Sequence, residues 1–108
     1  MENQDVVVSS GKIVAMGASG QVAFSDDAIV VNGSGKYLIP GLAEMHAHVP
    51  PIEDMELMKE VLSLFLANGV TTIRGMLGHP KHLELREKIN NGEILGPHFY
   101  TTGPSFNG

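Results

Sequence analysis

The chain has 108 residues, of which 43% are hydrophobic and 18% charged, the balance of a folded protein and not of a disordered one. Seven Lys+Arg against twelve Asp+Glu leave a net charge of −5, which excludes a general nucleic-acid binder, since phosphate contacts need a basic face. Cysteine is absent, so disulfides and thiolate metal ligands are excluded as well.

The first forty residues read as short strands punctuated by turns. Asp5–Val8 and Lys12–Met16 flank Ser9-Ser10-Gly11, a hairpin pattern, because Ser-Gly marks a turn between strand-like runs. Gln21–Phe24, Ala28–Val31 and Lys36–Ile39 are further strand candidates on β-branched and aromatic content. Pro40-Gly41 changes the grammar. Leu42–Val49 is a short apolar strand stopped by Pro50-Pro51, since proline cannot continue a ladder. From Glu53 to Asn68, apolar residues recur at three- and four-residue spacings, which predicts a helix closed by Gly69. Val70–Arg74 reads as a strand, Pro80–Asn90 as a helix, and His98–Thr102 as a strand. Strands alternating with helices imply a parallel sheet with crossovers.

His46-Ala47-His48 is the sharpest chemical feature. Side chains two apart on a strand project to one side. Pro50-Pro51 places the pair at the strand's C-terminal end, where parallel α/β proteins build their sites. Two imidazoles so placed make a half-site for Zn2+ or a similar metal. Taken alone, the pattern also fits ordinary surface or core histidines.

Gly35–His48, including Pro40-Gly41-Leu42-Ala43-Glu44-Met45-His46-Ala47-His48, resembles the N-terminal signature of the amidohydrolase superfamily. Gly69-Val70-Thr71-Thr72-Ile73-Arg74 and Gly92–Pro104 are similar to its imidazolonepropionase-like and prolidase-like branch. The resemblance implies an α/β chain. Residues 1–40 would be part of a small β-sandwich domain, and residues 41–108 the first three strands and two helices of a metal-dependent (β/α)8 TIM barrel. A complete barrel takes ~250 residues, so the fold is expected to be incomplete here. The resemblance further implies one or two divalent metals, most simply Zn2+, with His46 and His48 as ligands. Activated water would attack a C–N bond of amide, lactam or dipeptide type. A lysine, two more histidines and an aspartate acting as general base would come from later strands, so no catalytic residue is expected within this chain.

Several positions depart from the pattern. Glu44 stands where aspartate is usual, and its plainest role is to pack or pair. Arg74 is followed by Gly75 where aspartate is frequent, and His98 stands where arginine is common. Arg74 and His79 are candidates for substrate contact, with a structural ion pair the alternative for Arg74. His79 and His82 otherwise read as a solvated helix start, and His98 as structural. The methionines are simplest as core filler.

The expected whole is the N-terminal portion of a metal-dependent hydrolase, inactive as the short chain and acting on a small molecule when complete. A non-enzymatic fragment and a self-contained α/β binding module are the alternatives. No nucleic-acid or membrane partner is expected. Met1–Asp5 lacks the basic start and apolar stretch of a signal peptide, which makes the cytoplasm the expected location. A second copy or the rest of the enzyme is expected to cover open sheet edges.

Overall fold

A computed structural model describes residues 1–106. The elements in order are β1 (Gln4–Ser9), β2 (Lys12–Ala18), β3 (Leu42–Ala47), α1 (Met55–Ala67), β4 (Val70–Gly75), α2 (Pro80–Asn90) and β5 (His98–Tyr100). They fall into two units, Met1–Leu38 and Ile39–Gly108; the last two positions of the expected 41–108 span lie outside the described residues.

The first unit is built on an antiparallel hairpin of β1 and β2 with Ser9 opposite Lys12. Its two-residue turn has Ser10 at φ 49 and Gly11 at φ 72. Both are left-handed, as a type I′ turn requires for its twist to match that of the strands. At the open end the Asp5 carboxylate accepts from Ser19 Oγ at 2.9 Å and from Gly20 N at 2.7 Å. The strands expected at Gln21–Phe24, Ala28–Val31 and Lys36–Ile39 are absent, and these segments are turns and irregular backbone. Ile29 and Tyr37 are 94% and 95% exposed. β-Branched and aromatic residues favour a strand only where a neighbouring strand offers packing and hydrogen bonds, and these runs have no strand beside them.

The second unit is a parallel sheet in the order β3-β4-β5, as the strand–helix alternation predicts. The first of its strands stops at Ala47, two residues short of the expected Val49. α1 begins because the Asp54 carboxylate accepts from the amides of Glu56 and Leu57, meeting two of the donors a helix start leaves unpaired. It ends at Asn68, and Gly69 at φ 76 takes the left-handed position that follows. Helix α1 packs on β4 and α2 on β5. Between them lies the core of Ala47, Val49, Met58, Leu62, Ile73, Leu85 and Phe99. No helix among the described residues is long and apolar enough to cross a membrane.

The outer face of α2 carries charge pairs. The Lys81 hydrogen bond, followed by its charge, holds the Glu84 carboxyl below its ordinary value, and the same pair raises the Lys81 ammonium. Glu84's contribution is therefore present at neutral pH and lost as pH falls through the lowered carboxyl value. That of Lys81 is lost only as alkaline pH rises through the raised one. Both groups are solvated, so the pair is a minor support.

Gly75 is buried at the end of β4, and a Cβ there would stand 2.6 Å from Phe99 Cε2. The Phe99 ring is itself only 4% exposed and has little room to yield. Gly75→Ala is expected to cost about 1–3 kcal/mol through overpacking, read as a lower denaturant midpoint at unchanged m-value.

Candidate functional site

The parallel ladder between β3 and β4 is irregular where the histidines begin. Glu44 pairs with Ile73 and Ala47 with Gly75, so Met45 and His46 together stand opposite Arg74. A strand with one extra residue loses ladder partners at that point and re-aims the side chains that follow. Here side chains replace the missing partners. Arg74 Nε donates to the Met45 carbonyl at 2.9 Å, and the His46 amide donates to Glu44 Oε1 at 2.8 Å. Main-chain pairing resumes as Met76 N donates to Ala47 O at 2.8 Å.

Beyond the slip the pattern alternates. Ala47 and Val49 are buried, whereas His46 and His48 are exposed. Their rings lie side by side with centroids 5.1 Å apart and planes tilted by 58°. His46 is the penultimate residue of β3, and His48 lies just past its end. The period-two reading of the pair is thus met in geometry.

The other singled-out residues have definite places. Arg74 is exposed near the C-terminal end of β4, and the partner of its Nε is a carbonyl rather than a carboxylate. Glu44, expected to pack or pair, is exposed and serves the backbone of its own strand. His79 caps α2: its Nδ1 accepts from Lys81 N at 3.2 Å, and its Nε2 is 3.7 Å from Glu53 Oε1. The expectation of a solvated helix start fails for His82. Its ring is 1% exposed, with Nε2 3.0 Å from the Pro50 carbonyl, because the first turn of α2 lies against the chain leaving β3. His98 opens β5 at the opposite end of the sheet and lines a shallow cleft with Leu66, Thr71 and Ile89.

A second cleft, of about 400 Å³, lies at the C-terminal ends of β4 and β5 between Arg74, Leu77, Tyr100 and Thr102. Leu77 on its rim has φ 61, a left-handed conformation that side chains with a Cβ rarely adopt. Among the described residues no group of three or more His, Cys, Asp or Glu could hold a metal ion. The backbone roles of Glu44 and Arg74 carried no sequence signal. That of His82 had a faint one, a histidine in the first turn of a helix beside His79.

No family model matches the chain. Adenine deaminase 2 of Shouchella clausii is 37% identical over 70 residues, 64% of this chain and 12% of that protein. A dihydroorotase of Thermoanaerobacter sp. is 34% identical over 74 residues, 67% of this chain and 16% of its own length. Among solved structures, a protein from Bifidobacterium longum provisionally called a prolidase superposes with a TM-score of 0.80 at 32% identity. That superposition covers 91% of this chain and 24% of the other. The chain belongs to the amidohydrolase superfamily, matching part of its members' length.

The curated amidohydrolase relatives are thus several times longer than the stretch they share with this chain. Within that stretch, the amidohydrolase chain holds its two neighbouring imidazoles on a strand end whose backbone depends on Glu44 and Arg74. Glu44→Ala or Arg74→Lys is expected to change global stability by under ~1 kcal/mol, because water replaces an exposed partner. The same substitutions are expected to accelerate solvent exchange of the His46 amide, measured residue by residue by NMR.

Proposed function

We propose that the chain is part of a metal-dependent amidohydrolase that hydrolyses an amide, lactam or dipeptide-like C–N bond. We take His46 and His48 as two of its metal ligands. The observation that carries this reading is the exposed imidazole pair, 5.1 Å between centroids, at the C-terminal end of a parallel strand. The donor set suits Zn2+, which accepts imidazole nitrogen. It also falls short of the three protein ligands a catalytic zinc takes, so the remaining ligands and the proton-accepting group are assigned to other parts of the enzyme. A divalent cation, when bound, supplies Lewis acidity toward water and a carbonyl oxygen.

The chain's own residues divide the other tasks. Glu44 and Arg74 hold the backbone at Met45 and His46, and so fix where the first imidazole starts. Arg74 lines the cleft at the strand ends, and the guanidinium N–H groups beyond its Nε bond suit a substrate carboxylate. His79 is left out of this reading, since both its ring nitrogens already face partners.

In the same reading β3, β4 and β5 are the first strands of a (β/α)8 barrel, and the β1–β2 hairpin belongs to a β-sandwich. β3 and β5 are then edge strands, and Leu64 on α1 is 64% exposed. Unpaired strand edges and apolar helix faces call for cover, assigned here to further parts of the enzyme or to a second copy. Sedimentation of the 108-residue chain is expected to show self-association. A compact monomer with a cooperative unfolding transition would favour the self-contained module instead.

Zinc titration tests the ligand assignment directly. The chain is expected to bind Zn2+ weakly, and His46→Ala and His48→Ala are each expected to abolish that binding. It is also expected to turn over no amide or dipeptide by itself. Zinc binding indifferent to both substitutions would remove the ligands, and zinc-dependent hydrolysis lost in His46→Ala would overturn the inactivity.

A further inference from the structure

His82 is a buried polar side chain for which the proposed chemistry has no use. It sits in the first turn of α2 with its ring tilted against Phe99, centroids 5.7 Å apart. Its Nε2 lies 3.0 Å from the Pro50 carbonyl oxygen. A carbonyl only accepts, so Nε2 carries the hydrogen, and in the neutral ring Nδ1 is then the bare nitrogen. That Nδ1 is buried without a partner.

An orphaned buried acceptor is destabilising. A leucine or phenylalanine would fill the same space against Phe99 without one. For packing alone, histidine is therefore the poorer choice. What it supplies, and an apolar residue cannot, is the N–H donated to Pro50.

The acceptor's position gives that bond its meaning. Pro50 lies two residues past His48, and neither Pro50 nor Pro51 has an N–H with which to anchor this stretch. Only carbonyls are left there as main-chain handles, and His82 takes that of Pro50. On the near side, Glu44 and Arg74 tie down Met45 and His46. On the far side, Val49 is sunk in the core and Pro50 is held by His82. The two histidines thus stand between two fixed points.

We infer that His82 is a positioning residue: its Nε2–H bond to the Pro50 carbonyl fixes the chain leaving His48, and through it the spacing of the His46 and His48 rings for a shared divalent cation. This rests on the proposed ligand role of that pair. Groups that orient metal ligands without touching the metal typically change affinity about 10–100-fold when removed.

The test is competitive zinc titration against a chromophoric chelator, using the 108-residue chain and its His82→Leu, His82→Asn and His82→Gln variants, with thermal unfolding recorded for each. Glutamine carries its amide nitrogen near the Nε2 position and reaches Pro50, whereas asparagine is too short. Zinc affinity is expected to fall about ten-fold or more in His82→Leu and His82→Asn and to return to within a few-fold of wild type in His82→Gln. The melting midpoint of His82→Leu is expected to change little, since the orphaned nitrogen is gone while the Pro50 carbonyl loses its donor. If the leucine variant does not fold, the asparagine–glutamine contrast decides. Wild-type affinity in His82→Leu, or equal losses in His82→Asn and His82→Gln, overturns the positioning role alone. Failure of the wild type to bind zinc through His46 removes the ligand reading, and the inference with it.

Discussion

Where a strand carries one residue more than the neighbour it pairs with, its ladder is broken, and the groups so released must find partners elsewhere. In this chain the constraint is met by side chains at the second of two register shifts between β3 and β4, where Met45 and His46 oppose Arg74. The Met45 carbonyl and the His46 amide would otherwise be left to solvent where the imidazole pair begins. Two charged side chains, Arg74 from the neighbouring strand and Glu44 from two residues upstream, take over the lost bonds. Charge-assisted bonds of this kind are stronger than the neutral ones they replace. Their exposure limits what they add to global stability, so their effect is local order.

Below that end, the support is apolar. Ala47 and Val49 alternate with the two histidines and are anchored among Met58, Leu62, Ile73, Leu85 and Phe99. The same alternation that faces the imidazoles outward drives these side chains inward. A one-residue shift would exchange the two sets, exposing Ala47 and Val49 and burying two unpaired imidazoles. The face presented by the histidines and the packing of the core are therefore one decision.

Much of this was legible in the sequence because it rests on local rules. The apolar spacing from Glu53 to Asn68 and the stop at Gly69 mark a helix, Ser10-Gly11 is a turn by its chemistry, and histidines two apart share a face on any strand. The segments misread as strands between Gln21 and Ile39 show where local rules stop. Val30, Val31 and Tyr37 have the right composition, but a strand is a relationship between two segments, and composition names only one of them. His82 was misread for a related reason. A histidine in a polar helix turn is solvated unless something lies over it, and what lies over it is Pro50, 32 residues upstream. The backbone service of Glu44 and Arg74 likewise depends on a register that no propensity scale contains.

The close approach of Gly75 and Phe99 ties the choice of residue at one position to the other. Where the family resemblance leads one to expect a carboxylate after Arg74, this chain has glycine, and the edge of the Phe99 ring lies where a Cβ would stand. An acidic group placed at 75 alone would collide with that ring, and a smaller residue at 99 alone would open a cavity beside a glycine. Each single change is worse than none, although the two together need not be. The two positions are therefore coupled: what one tolerates depends on what stands at the other.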